Sequence, residues 1–250
     1  PDRQRREQSA FSAFAFSSCV RGVGNRELVN QGVGDESMTL RTPKSIPTFS
    51  PFEVAFAATD AEIPHSFKEQ FLHAPENPYD IALQGHLDVW YRPKWLSLFF
   101  KILEKTGILV SETGKNITVT LTVRAKYDEH NNPVHYWDRT FQFKKERYFN
   151  TILPYDFNQK EVGDFIGKWK FVYIVWKTKF HPPKKFTIDT NACAFHIKGH
   201  YFWLPAWLWK PLFGVLRCTQ VAENIESNKF NISLTIWQPW FGDVFGYIGT

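Results

Sequence analysis

NITVTLTVRAKY, residues 116–127, puts Ile117, Val119, Leu121, Val123 and Ala125 on one side of an extended chain and Thr118, Thr120, Thr122, Arg124 and Lys126 on the other. Alternation with period two is the pattern of a strand with one buried and one wet face. The next six residues, DEHNNP (Asp128–Pro133), are turn formers, and VHYWDRTFQF (Val134–Phe143) reads as the returning strand. The unit is a β-hairpin, and it sets the reading of the chain on both sides.

Downstream, KWKFVYIVWKTKF (Lys168–Phe180) is apolar and aromatic on both faces, as a strand covered on both sides would be, and Pro182-Pro183 ends it. KKFTIDTNACAFHIKG (Lys184–Gly199) is a further strand. NKFNISLTIW (Asn228–Trp237) alternates Ile232, Leu234 and Ile236 with Ser233 and Thr235. One helix interrupts this series at PKWLSLFFKILEKTG (Pro93–Gly107), with Pro93 suited to a first turn and Gly107 to a stop. Upstream, short helical candidates lie around Phe52–Ala58 and Ser66–His73, punctuated by Pro64, Pro75 and Pro78. The expected fold is α+β and mainly β: a curved antiparallel sheet or partial barrel, with an amphipathic helix at about 93–106 and short helical turns.

Three segments follow from this reading. Residues 79–250 form a single β-rich domain, and 38–78 a Pro-rich connector with short helices. Residues 1–37 read as a disordered extension: they have no usable period, hold five Arg against five acidic residues, and precede Met38, the only methionine.

Aromatics make up 17% of the chain (Phe 24, Trp 10, Tyr 9), enough for a sizeable core. The net charge of +5 comes from Lys and Arg spread along the chain, so no nucleic-acid partner is expected. Cys19, Cys193 and Cys218 make no CxxC pair and suit a reducing compartment. No apolar run approaches the ~18 residues of a spanning helix. The expected location is cytoplasmic or at the periphery of a membrane.

GHYFWLPAWLWKPLFG (Gly199–Gly214) carries three tryptophans bracketed by prolines. Leu204 before Pro205 is biased to extended geometry, so the stretch is a strand-to-turn junction. GHLDVWYRPKWL (Gly85–Leu96) has the same physical sequence: Gly-His, an aromatic strand, then Pro and a Trp-bearing turn. Both turns are expected at the end of the sheet, with Trp207 and Trp95 packing alike as plugs. Trp95, Phe99, Trp209 and Phe213 are candidates for the rim or lid of a cavity, ahead of a membrane contact.

Chemistry-bearing patterns are few. His196 and His200 are four apart, but a strand reading of FHIKGHYF leaves them about 13 Å apart at ~3.3 Å per residue, with no third ligand nearby. No GxSxG occurs, and GVG at 22–24 and 32–34 has neither the strand nor the helix of a dinucleotide loop. Asp88, Asp138, Asp189 and Glu223 lie on separate segments. Trp137, Arg139 and Phe141 share one strand face, which suits a buried ion-pair anchor, a cation–π stack, or the polar end of an apolar cavity. No catalytic residue, metal or cofactor is assigned. An enzyme reading requires two or three of His86, Asp138, Arg139, His200 and Glu223 to converge.

The order of motifs resembles the family of the bacterial domain of unknown function 4166. The stretches that carry it are LQGHLDVWYRPKWLSLFFKILEKTGI, HYWDRTFQF, GHYFWLPAWLWKPL and NKFNISLTIWQPWFGDVFGYIG, with Glu223 between the last two after a short strand. The fitting residues are Trp137, Arg139, Phe141, Leu204, Pro205, Leu208, Glu223, Phe230, Pro239, Gly242, Tyr247 and Gly249. The likeness spans Tyr79–Thr250. It implies a domain that stands alone or is joined to reductases of the saccharopine-dehydrogenase type, whose dinucleotide-binding half is not in this sequence. It brings no catalytic residues.

The functional expectation is a non-enzymatic domain that binds a hydrophobic small molecule or lipid in an apolar cavity. Trp137, Arg139, Phe141, His200, Trp207 and Glu223 are the ligand-binding candidates. The alternative is an interaction domain that docks a reductase or a membrane-associated partner. An enzyme of unassigned reaction is third.

Overall fold

The strands are β1 (Ile81–Tyr91), β2 (Gly114–Tyr127), β3 (Pro133–Gln142), β4 (Glu146–Asp156), β5 (Glu161–Ile166) and β6 (Val172–His181). They continue as β7 (Lys185–Ile197), β8 (His200–Trp203), β9 (Val215–Ala222), β10 (Phe230–Gln238) and β11 (Gly242–Gly249). The structure is a computed structural model that describes residues 50–57, 59–77, 79–92, 97–167 and 169–250. The expectations for residues 1–37 and for Trp95 fall outside the described residues, as does the side chain of Phe99.

Ladder order is β6–β5–β4–β3–β2–β1–β11–β10–β9–β7, and β6 also pairs with β7, so ten antiparallel strands close on themselves. The expected curved sheet or partial barrel is thus a closed barrel. Closure depends on β7, which pairs with β6 along its length while Lys185–Asp189 also pairs with Val221–Arg217 of β9. The far half of β7 parts from β9 and takes β8 as its neighbour instead.

Four helices are described: α1 (Glu53–Phe56), α2 (His65–Phe71), α3 (Ser97–Lys105) and α4 (Ala206–Phe213). Up-and-down order places α1, α2 and the β2–β3, β4–β5, β6–β7 and β9–β10 turns at one end of the barrel, the first end. Helices α3 and α4 and the β3–β4, β5–β6, β7–β8 and β10–β11 turns stand at the second end. Among the described residues no helix is long and apolar enough to cross a membrane.

Aromatic packing seals the first end. Phe52, Phe56, Phe67 and Phe71 flank α1 and α2 or lie on them, and all are buried. Phe71 stacks on Phe186 at 4.2 Å between ring centroids, Phe56 on Phe186 at 5.2 Å, and Phe52 on Trp137 at 5.5 Å. Burying each ring contributes about 1.5–3 kcal/mol, far more than the propensity of such short helices. At the second end Phe100 of α3, Leu109, Val110 and Trp209 of α4 are buried in the same core. Arg147 ties that end together by ion pairs with Glu104 of α3 and Glu112.

A second, smaller core lies outside the barrel wall. Phe165, Tyr173, Val175 and Ala194 point outward and are buried, and Tyr201 and Trp203 of β8 pack over Tyr173. This accounts for the apolar residues on both faces of β6: Val172, Ile174 and Trp176 face the interior, and Tyr173 and Val175 face β8.

The expectation of one strand through His196 and His200 is corrected. Lys198 (φ 50°) and Gly199 (φ 83°) turn the chain in two residues, so His200 pairs opposite Ile197. Positive φ at both central residues is the tight hairpin geometry that matches strand twist.

Candidate functional site

Strand parity builds a chamber between the two aromatic seals. On β3 the inward residues are His135, Trp137, Arg139 and Phe141. Arg139 sits opposite Leu121 of β2 and Phe149 of β4. On β5 the inward residues are Val162, Asp164 and Ile166, with Asp164 opposite Ile174. Cys218 and Gln220 of β9, Leu234 of β10 and Tyr247 of β11 complete the wall. The space they line is about 940 Å³, at the upper part of the range for small-molecule sites.

The mouth is a slot in the barrel's side. β11 pairs with β1 only over Leu87–Tyr91, so Ile81–His86 has no strand on that flank, and the start of β10 has none either. Thr250 closes the near edge: the His86 amide donates to Thr250 O at 2.7 Å, and the Thr250 amide donates to His86 O at 3.2 Å. Beyond that pair, Ile81–Gly85, Asn228–Asn231, and Glu69 and Gln70 of α2 line the cavity.

Arg139 is the cation of the chamber. Its guanidinium lies 5.1 Å from the Trp137 ring centroid and 5.0 Å from that of Phe149. It reaches Thr151 Oγ1 at 3.4 Å and belongs to none of the ion pairs within 4.0 Å found among the described residues. A guanidinium stacked on ring faces keeps its in-plane donors, beyond the one given to Thr151, in the geometry that suits a planar anion.

Asp164 is the chamber's acid, 3% exposed. Burial pushes its carboxyl up to about 7, against the opposing pull of the Arg139 charge and a hydrogen bond from Trp176. Near neutral pH this group takes or gives a proton easily. Burial also pushes the Cys218 thiol up to about 12, so it stays protonated near neutral pH. His135, bonded to His73 O at 2.8 Å, is pushed down to about 3 and is neutral.

Four polar atoms on the lining residues are buried without a hydrogen-bond partner among the described residues: Trp137 Nε1, Asp164 Oδ1, Gln70 Oε1 and Gln220 Oε1. Each such atom costs about 1–3 kcal/mol when unmatched. One donor and three acceptors thus lie buried within the wall of a largely apolar space, whose lining also carries Arg139 inside and Lys229 at the mouth.

The chamber brings together Trp137, Arg139 and Phe141, and places Glu223 at its mouth, where it accepts from Ser227 Oγ at 3.2 Å. His200 is exposed on β8, outside the barrel. The plug on α4 is Trp209, 4% exposed, and not Trp207, 76% exposed. Phe213 is half-buried against Phe195 at 5.8 Å. Asp138 faces outward in an ion pair with Arg124, and His86 belongs to the lining at the mouth, with its imidazole beside Thr118. Of the five groups named for the enzyme reading, His86, Arg139 and Glu223 line the cavity with no hydrogen bond among them, and Asp138 and His200 lie outside it. Among the described residues no group of three or more His, Cys, Asp or Glu is placed to hold a metal ion.

Asp164, Trp176 and Gln220 were not singled out from sequence. A signal for Asp164 existed: it is the carboxylate between Val162 and Ile166 on an otherwise apolar strand face.

A family model described as Domain of unknown function (DUF4166) matches residues 63–250, from just ahead of α2 to Thr250. The chain is similar to Uncharacterized protein YndH of Bacillus subtilis (strain 168), at 28% identity over 161 residues, which cover 62% of this chain and 75% of that protein. No solved structure matches the chain.

Proposed function

The chain belongs to the DUF4166 family, a domain of unknown function, and from its geometry we propose that it is a carrier or sensor of an amphipathic small molecule, held in the barrel chamber. The observation that carries this reading is a side-opening chamber of about 940 Å³, sealed by aromatics at both ends, with Arg139 inside it. Apolar wall residues remove the ligand's hydrocarbon from water at about 25 cal/mol per Å². Arg139 orients an acidic head group, and Asp164, when protonated, donates to a second oxygen or hydroxyl. No bond is made or broken in this reading.

Head-group selectivity gives the test. A long-chain fluorescent fatty acid is titrated into the full chain and displaced by an unlabelled fatty acid or by the matching fatty alcohol. Displacement by the acid at about tenfold lower concentration than the alcohol, with that preference lost in Arg139→Met, supports the proposal. Equal displacement by both, or no binding of the probe, contradicts it.

A further inference from the structure

We infer that the second end of the barrel docks on an anionic lipid surface. The observation is a segregation of side chains by barrel end. All four exposed tryptophans among the described residues belong to the second end or to β8 beside it: Trp169 in the β5–β6 turn, Trp203 on β8, Trp207 on α4 and Trp240 in the β10–β11 turn. Leu98 and Ile102 on α3, and Leu212 on α4, extend the exposed apolar surface. Exposed aromatics also occur at the first end, at Tyr79, Tyr127 and Phe157, but the exposed tryptophans are confined to the second end and β8, and a clustered set of this kind marks an interaction site.

These residues form a continuous rim. Gly167, before Trp169, lies so close to α3 that an added Cβ would meet Thr106 O at 3.0 Å. Phe171 stacks on Phe195 at 5.5 Å, and Phe195 packs on Phe213 of α4 at 5.8 Å. Gln238 Nε2 donates to Leu212 O at 3.4 Å, joining α4 to the turn that bears Trp240. Turns and a helix anchored on strand ends therefore carry the aromatics around one rim.

Charge selects the occupant. Exposed lysines stand between the aromatics: Lys101 on α3, Lys144 and Lys145 in the β3–β4 turn, Lys170 beside Trp169, Lys198 in the β7–β8 turn, and Lys210 on α4. The opposite end carries acids, Asp128 and Glu129 in the β2–β3 turn and Glu223 and Glu226 in the β9–β10 turn, alongside Lys160, Lys184, Lys185 and Lys229. Exposed acids at the rim include Glu146 and Asp243. Tryptophan rings settle at the headgroup level of a bilayer, and each nearby Lys contributes about 1 kcal/mol against anionic lipid. The barrel lies on the surface and does not span it, because its outward strand faces carry Thr118, Thr120, Arg124, Lys177 and Lys179 where a spanning barrel needs an apolar band.

Vesicle sedimentation of the full chain tests this. The probes are phosphatidylcholine vesicles with and without phosphatidylglycerol, at low and high salt. Binding only to the anionic vesicles is expected, weakening as salt rises. The double variant Trp207→Ala/Trp240→Ala should bind about tenfold more weakly with an unchanged melting temperature, and Lys198→Glu/Lys210→Glu should weaken binding at low salt. Failure to sediment with anionic vesicles overturns the inference, as does binding that neither variant reduces. A specific complex formed by this rim with a protein or a nucleic acid, without vesicle binding, overturns it too.

Discussion

Trp207 and Trp209 lie two residues apart on α4 and face opposite media: Trp209 is 4% exposed in the second-end seal, and Trp207 is 76% exposed. Two helical residues differ by about 200° around the axis, so one element can close the chamber with one ring and present the other outside. The prolines have separate roles. Pro205 caps the helix in extended geometry, and Pro211 lies inside it.

Trp209→Ala is expected to cost about 3–5 kcal/mol, since it removes a buried ring from the seal. Trp207→Ala should leave stability within about 0.5 kcal/mol of the parent. Urea unfolding of both variants checks this, and equal losses would contradict the division of labour.

Asp164 makes stability depend on pH. The folded carboxyl titrates at about 7, whereas an unfolded Asp titrates near 3.9. Between those values the unfolded chain has released the proton that the folded chain keeps. Wild-type stability therefore falls as pH rises through that window and levels off above it. Asp164→Asn should flatten the decline and raise the melting temperature more at pH 8 than at pH 4 in a calorimetric series. An unchanged pH profile would mean that the carboxyl is solvated.

Phe71 anchors the first-end seal, stacked on Phe186 at 4.2 Å and packed on Trp137 at 5.7 Å. Phe71→Ala should lose about 3–5 kcal/mol and expose Trp137 to an aqueous quencher. Fluorescence quenching during an unfolding titration measures both effects. A stable variant with shielded tryptophan would show that α1 and α2 are dispensable to the barrel.

Gly249 lets β11 press against β1, because an added Cβ would collide with the His86 carbonyl. Gly249→Ala should push the strands apart beside the slot, cost about 1–3 kcal/mol, and speed ligand exchange. Stopped-flow release of the fluorescent fatty acid reads the rate, and unchanged release would place the entrance elsewhere.

Legibility in the sequence tracked locality. Asn116–Phe143 announced a hairpin because one wet face gives clean alternation, and β6 announced itself because β8 covers its outer side. The pairing of β1 with β11 joins Leu87 to Gly249 and leaves no local trace, so closure was invisible. Arg139 stood out because Trp137 and Phe141 share its strand face. Asp164 did not, because its strand has six residues and its surroundings, Arg139, Trp176 and Gln220, come from three other strands. Reading Trp207 as the plug and Trp209 as the rim reversed the two, because only the packed face of a helix separates them.

The chamber's occupancy is settled most directly by native mass spectrometry of the full chain purified from cells, with solvent extraction of any adduct. The account predicts one equivalent of an amphipathic ligand with an acidic head group, retained by the wild type and lost from Arg139→Met. A bare protein mass that stays bare after incubation with long-chain fatty acid, for a folded wild type, would contradict it.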